Sequence, residues 1–316
     1  MALRLRPHPS FFQVGPGTLR PTGINHARIL NQRGLAPVAA PPREVVHWVG
    51  AMQSQDYGAA KWAIGLRTPS DTAVDVEHAF NQGEILRTHV MRPTWHFVPP
   101  SDIRWMLKLT GDRVRRAQSS HNRKLGLDAV LFSRATSVFE RSLRESAFLT
   151  RVKLGERLKQ NGMVLDRAQL AQVAMNAELE GVICSGPRRG KQFTYALLSE
   201  RAPSATVLQR DEALAALAHR FLRSHGPATF RDFAWWSGMT IGDARRGFAM
   251  NSARRHDLDG LAYWTLGADH CPGMGDELPD GVALLPAYDE YSVAYRDRVS
   301  DPGSVPGVPS VIAATG

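Results

Sequence analysis

Apolar residues recur at helical spacing early in the chain and then give way to alternation. Over residues 24–33 the spacing predicts a helix stopped at Gly34. After a proline-rich joint, Val45, Val46, Trp48, Val49 and Met52 mark the apolar face of a second helix, which starts from Arg43 with Pro42 just before its first turn. A third helix is predicted near residues 72–81. The stretch ILRTHVMRPTWHFV then alternates like a strand pair turned at Arg92-Pro93. Helix, helix, helix, hairpin is a winged-helix order.

The same order recurs twice more. One helix is expected over residues 148–161, Asp166 caps another, and VICSGPRRGKQFTYALL reads as two apolar strands joined by a basic turn. The tip of that turn, with Arg188, Arg189 and Lys191, is expected to project as a wing. The third copy opens with a helix over 211–225. It continues through a short helix capped by Thr229, a turn at Ser237-Gly238-Met239 and a helix capped by Thr240, and it ends in LAYWTLG. Arg231, Arg245, Arg246, Arg254 and Arg255 then lie along its DNA side, or are simply solvated. The fold class expected is α+β, mainly α. Winged helices over 23–110, 111–205 and 206–268 precede a partial β-rich domain at 269–298. A disordered arm at 1–22 and a low-complexity tail at 299–316 flank them.

Composition narrows the classes. A chain of 316 residues that is 43% hydrophobic and 22% charged is an ordinary globular protein, which excludes disorder as the main state. No apolar run approaches the ~18 residues of a membrane span. The N-terminal MALRLRPHPSFFQVGPG lacks the apolar core of a secretory signal. Cys184 and Cys271 cannot build a disulfide framework, so a reducing cytoplasm is the expected compartment. The 39 Lys+Arg against 30 Asp+Glu leave a net charge of +9, which favours a polyanionic partner. Arginine-rich composition can also arise from a GC-rich genome. The surplus is local: residues 101–160 hold fourteen cations against six acids. Residues 269–290 hold six acids and no Lys or Arg, and are expected to face away from phosphate.

No G-x-S-x-G nucleophile elbow occurs, and Gly15-Pro16-Gly17 precedes no P-loop lysine, which argues against serine hydrolase and nucleotide-hydrolysing chemistry. His89 with His96, and Asp269-His270-Cys271, each lack the rest of a metal site, so no metal is expected. His96 reads as a core histidine or as a polar edge toward substrate. Gln53 and Gln55, two apart, share one face if the chain is extended there. Such an amide pair can position a water and contact a sugar without acting as a strong base. Taken alone, two glutamines at a helix end are more often surface caps.

The segments VGAMQSQDYGAAKWAIGLR, ILRTHVMRPTWHFVPPSD, RSHGPATFRDFAWWSGM and LLPAYDEY together resemble the winged-helix family named for AlkZ and YcaQ, bacterial DNA glycosylases, over about residues 24–298. The resemblance implies three tandem winged helices and a β-rich domain that form a C-shaped DNA-binding body. It also implies a Gln-x-Gln element, matched by Gln53-Ser54-Gln55; a Gln-x-Asp version marks the other branch. The implied activity is monofunctional hydrolysis of the N-glycosidic bond of purines alkylated at N7 or N3, including bulky or crosslinked adducts, for repair or for self-resistance. Gln53 and Gln55 are the catalytic candidates, with Asp56 as an electrostatic contributor or base, or as a cap of the next turn. Arg92, Thr94 and His96 match the family's Arg-Gly-Thr-x-His strand and join the DNA contacts. No cofactor is implied; the partner is double-stranded DNA carrying alkylated bases, with no membrane and no obligate protein partner, and a monomer is expected.

The chemistry suits amides. An N7- or N3-alkylated purine is cationic and leaves without a general acid, so what remains is an oxocarbenium-like sugar and a water. A crosslinked base cannot be flipped freely, and an open, phosphate-gripping cleft suits it better. Two departures stand out. Pro93 replaces the family's glycine, and the family continues for several tens of residues beyond Asp-Glu-Tyr, so a shortened relative is expected. The alternative function is a non-catalytic winged-helix regulator whose glutamines are structural; a protein-interaction scaffold is more remote.

Overall fold

Local start and stop signals fix the first group of elements. The computed structural model describes residues 21–68, 72–258, 260–267, 283–296 and, as backbone alone, 311–313. Helix α1 (Pro21–Asn31) is followed by α2 (Pro42–Val49), whose Pro42 occupies the first turn, where no N–H is missed. Strand β1 (Met52–Gln53) leads into α3 (Tyr57–Gly65). Thr72 and Asp75 form a capping box that starts α4 (Ala73–Gln82), and β2 (Leu86–Val90) and β3 (Arg92–Val98) close the group. The sheet order is β1-β3-β2, all antiparallel, with Gln53 opposite His96. Val45, Val46, Val49, Ile64, Phe80 and Phe97 form the core of this group.

The hairpin turns at Met91 (φ 62°), one residue before the expected Arg92-Pro93. The register shifts between His89 and Val90, and Pro93 and Thr94 fall opposite that irregularity. Pro93 therefore removes no ladder hydrogen bond, which is how a proline sits in β3.

A second group repeats the order. Helix α5 (Ile103–Lys124) leads to α6 (Ala129–Glu145), β4 (Leu149–Thr150), α7 (Arg151–Gln160), α8 (Arg167–Leu179), β5 (Ile183–Ser185) and β6 (Thr194–Leu197). The helix expected from residue 148 starts only at Arg151, because Leu149 and Thr150 pair with Tyr195 and Thr194 and Thr150 then caps α7. Asp166 caps α8 in a capping box with Gln169. Val138, Phe139, Leu143, Leu154, Leu158 and Val173 make a separate core.

After the short α9 (Leu198–Arg201), the third group is α10 (Arg210–His225), α11 (Phe230–Ser237), α12 (Ile241–Met250), β7 (Arg254–Leu258) and β8 (Leu261–Thr265). A single bridge, Ala228 to Trp264, stands where the other groups have their first strand. Thr229 and Thr240 each cap a helix through a capping box, as expected. Gly238 between them has φ 70°, and a Cβ there would lie 2.2 Å from the Met91 carbonyl oxygen. Only glycine lets this turn press against the first hairpin. The largest core gathers α10, α11 and α12 around Phe221, Phe233, Trp236 and Phe248, and takes in Trp105, Met106 and Leu109 from the first half of α5. Arg116, Arg123 and Lys124 in the second half of α5 are exposed, so part of the basic surplus is a surface.

The C-terminal segment is β9 (Ala283–Leu285), α13 (Glu290–Val293) and β10 (Val311–Ala313), the last parallel to β9. The expectation of a tail with nothing to join is thus corrected at 311–313. Of the expected arm at 1–22, Pro21 and Thr22 belong to α1 and residues 1–20 lie outside the described residues, as do Cys271, most of the acidic stretch and the rest of the tail. Two acids of that stretch are described, and both are buried rather than solvated. Asp289 and Glu290 are each 1% exposed, and Asp289 meets the fully buried Arg67 in a bidentate pair at 2.8 and 2.9 Å. A charge this deep is tolerated only with a partner of opposite sign. The Arg28–Asp232 pair at 3.1 Å is equally buried, with the Tyr295 ring 3.8 Å beneath the guanidinium. The molecule is mostly helical with small antiparallel sheets, and no helix among the described residues is long and apolar enough to cross a membrane.

Candidate active site

Gln53 is held in place by a residue far along the chain. Its backbone N–H donates to Glu290 Oε1 at 2.6 Å, and Trp236 Nε1–H donates to Glu290 Oε2 at 3.0 Å. His225 Nε2 lies 3.5 Å from the same oxygen. Burial alone would push the Glu290 carboxyl up; His225 and the Gln53 N–H outweigh it and hold it below the usual carboxylate value. Glu290 is therefore an ionised clamp that spans the first sheet, α11 and α13. Ser54 is fully buried, while Gln53 is half-buried and Gln55 exposed, so the two glutamines share the outward face of an extended segment, as the spacing predicted.

Arg92, Thr94 and His96 come together on the neighbouring strand β3. His96 is fully buried and its Nδ1 lies 2.9 Å from the Thr94 carbonyl oxygen, so Nδ1 carries the proton and Nε2 is a bare acceptor. That Nε2, Arg92 Nε and Nη2, and Thr94 Oγ1 are buried without a partner among the described residues. Such clustering of unpaired polar atoms is rare in a finished core and common where a polar ligand enters. Burial and the Arg92 charge push the His96 imidazole down to about 3, so it is neutral through the ordinary pH range.

This has a measurable consequence. A histidine neutral when folded but free to protonate when unfolded costs no stability above its unfolded value near 6.5, and costs about 1.4 kcal/mol per pH unit below it. By pH 5 the loss from His96 is about 2 kcal/mol. Urea unfolding at pH 7 and pH 5 is expected to show at least this difference, and His96→Gln to remove it. A pH-independent midpoint in the wild type would overturn the assignment.

Gln55 opens onto a second feature. Its Oε1 accepts from the Trp95 N–H at 3.4 Å, and it lines a cavity of about 410 Å3 with Trp95, Phe193, Arg87, Val152 and Lys191. Arg87 is clamped: Nε and Nη2 donate to the Ser54 carbonyl at 3.1 and 3.0 Å, and its guanidinium lies 4.2 Å from the Trp95 ring and 4.5 Å from Phe193. Asp56 does not face the same way. Its Oδ1 accepts from the Ala59 N–H at 3.0 Å and caps α3, the cap alternative of the sequence reading.

Residues 46–300 match the family model described as DNA glycosylase AlkZ-like. The chain belongs to this family. The curated "Interstrand DNA cross-link repair glycosylase" of Streptomyces sahachiroi is 23% identical over 261 residues, which cover 78% of this chain and 70% of that protein. The solved structure of the Streptomyces sahachiroi DNA glycosylase AlkZ superposes with a TM-score of 0.75 at 21% identity, covering 88% of this chain and 78% of the other, and so shares its fold.

In this AlkZ-like DNA glycosylase the expected DNA-contacting cations divide into two kinds. Arg188 corrects the expectation of a projecting wing tip. Its N–H donates to Asn81 Oδ1 at 2.8 Å, and its guanidinium packs 4.8 Å from Tyr57 and 4.9 Å from Phe193, so it rivets the second hairpin onto the first group. Arg189 and Lys191 are exposed at the tip. Arg246 pairs with Asp211, and Arg255 with Asp257 at 2.7 Å, all exposed, while Arg245 lies 5.9 Å from the Phe230 ring. Exposed pairs of this kind are worth about 0–1 kcal/mol and exchange readily for phosphate. Arg231 and Arg254 are also exposed. Sequence reasoning missed Glu290, Arg67 and Arg87. The only signal was two adjacent acids inside the apolar run LLPAYDEYSV, which an exposed acidic face would not need.

Proposed function

We propose that this chain hydrolyses the N-glycosidic bond of purines alkylated at N7 or N3 in duplex DNA. Gln53 and Gln55 hold the attacking water and stabilise the developing positive sugar. The observation that carries the reading is the Gln53-Ser54-Gln55 segment itself: extended, its amides on one outward face, its backbone tied by Glu290 and Arg87. An alkylated purine is a cationic leaving group, so the step needs no strong acid, and none is presented by the two amides. Asp56 is spent on its cap and is a weak candidate for the base.

The three repeats, each helix, strand or bridge, helix, helix, hairpin, support tandem winged helices that embrace the duplex. The exposed Arg189, Lys191, Arg231, Arg245, Arg246, Arg254 and Arg255 would bind its phosphates. Arg92, Thr94 and His96, whose unpaired polar atoms are buried on the strand that pairs with Gln53, are better placed toward the damaged nucleotide than toward the backbone of a regular duplex. The cross-link repair named for the Streptomyces sahachiroi relative supports extending the substrate range to bulky or crosslinked adducts.

The test is release of free N7-methylguanine from methylated duplex DNA. Wild type is expected to release it, and Gln53→Ala or Gln55→Ala to slow release by about 10²-fold, the usual loss when one stabilising polar group is removed. Tight, salt-dependent DNA binding with no excision of any alkyl lesion would instead support the regulatory reading.

A further inference from the structure

We propose that the groove between α5, α6 and α8 is a second nucleic-acid site, which takes the adenine base of an unpaired nucleotide. It shares no lining residue with the glutamine segment and stands whether or not that segment hydrolyses DNA. Seams between packed helices are normally apolar. This one, a cavity of about 640 Å3, is lined by Ser119 and Asn122 from α5, Ser133 from α6, and Asn176 and Glu180 from α8. The apolar core of the second group reaches it only at Leu127 and Phe132.

Asn176 is the side chain that points to a ligand. It is 8% exposed, and its Nδ2 donor has no partner among the described residues; Asn122 Oδ1 is a buried acceptor in the same condition. A buried amide left unpaired costs folding free energy, which a finished seam avoids. Two turns earlier on the same face of α8, Gln169 shows the ordinary arrangement: its Nε2 donates to the Leu125 carbonyl at 3.0 Å. The acids of the groove are already engaged. Glu180 accepts from Thr136 Oγ1 at 3.2 Å and lies 3.6 Å from Arg115, which also pairs with Asp112, and Asp128 caps α6 by accepting from the Leu131 N–H at 2.7 Å. What faces a ligand is therefore a neutral donor, a neutral acceptor and the half-buried Phe132 ring. Adenine matches that set. A ring nitrogen accepts from an asparagine amide, the neighbouring exocyclic amine donates to an amide oxygen, and the purine face stacks on an aromatic ring. Arg123 at the rim and Arg116 two turns earlier on α5 are exposed and supply cations for the phosphates that flank the base.

Fluorescein-labelled (dA)8, (dT)8 and an abasic strand of the same length and charge test this by fluorescence anisotropy with the full chain. Wild type is expected to bind (dA)8 more tightly than the abasic strand by about tenfold, the gain of one stacked base, and more tightly than (dT)8, which lacks the exocyclic amine. Asn176→Leu keeps the branched shape and removes the amide. It should bring the (dA)8 and abasic affinities within about twofold of each other, with the abasic Kd unchanged and the urea midpoint not lowered. Ser133→Trp fills the groove from an exposed position and should remove the preference in the same way. Displacement of (dA)8 by deoxyadenosine monophosphate at equal nucleotide concentration shows that the site takes the free nucleotide as well; displacement by excess strand alone assigns it to DNA. Equal affinity of the wild type for (dA)8 and either other strand overturns the site. So does a preference that Ser133→Trp leaves intact, whatever Asn176→Leu does to folding, or one that Gln53→Ala abolishes, since the base then sits at the glutamine segment.

Discussion

Asp289→Ala is expected to cost about 3–5 kcal/mol of folding stability, the loss typical of breaking a buried ion pair by removing one partner. Arg67 is fully buried and also donates to the Gln32 carbonyl at 2.8 Å and the Ala63 carbonyl at 2.7 Å. It cannot swing out to water without tearing the joint between α1, α3 and the C-terminal segment, so its charge would remain with no counterion. The measurement is the urea midpoint at constant slope. Arg67→Met combined with Asp289→Leu should lose less than the single Asp289→Ala, because no unpaired charge is left. A single-variant loss under about 1 kcal/mol would show that the pair contributes little.

Glu290→Ala is expected to lower excision of N7-methylguanine by about 10²-fold, as much as Gln53→Ala, although Glu290 acts through Gln53. The substitution strips the acceptor from the Gln53 N–H and the Trp236 indole, and charged hydrogen bonds of this kind are worth about 1.5–3 kcal/mol each. Glu290→Gln keeps an acceptor for the Gln53 N–H and should recover most of the rate. Failure of Glu290→Gln to recover activity while the fold survives would show that the carboxylate charge, rather than its grip on the strand, is what matters. The pH dependence has a defined sign. The folded-state value is held below the ordinary 4.5, so the clamp's stabilisation is complete above about pH 4.5 and lost as pH falls through the lower folded value.

Most local structure was legible because the signals are local. Asp166, Thr229 and Thr240 announce helix starts by the hydrogen bonds their side chains can make, and each does so in the fold. The Gln53–Gln55 face followed from the period of an extended chain. What escaped were contacts between distant segments. Leu149 and Thr150 read as helix because nothing nearby reveals that Tyr195 and Thr194 will pair with them. Arg188 read as a projecting cation because its aromatic partners lie on α3 and just before β6. Asp289 and Glu290 were counted only as part of an acidic stretch, because charge counting does not tell a buried carboxylate from a solvated one, and burial beside Arg67 and the Gln53 N–H depends on the fold.

The clamp on Gln53 joins residues 237 positions apart. At a synthesis rate of roughly 5–20 residues per second, about 10–50 s separate the emergence of the glutamines from that of the carboxylate that fixes them. On the proposed reading, through that interval a nascent chain can present basic helices and hairpins to nucleic acid but has no ordered pair of amides with which to cut. Hydrolytic competence is then deferred until translation has carried Glu290 into place, and a chain cleaved proteolytically between residues 267 and 283 is expected to lose excision before it loses DNA affinity.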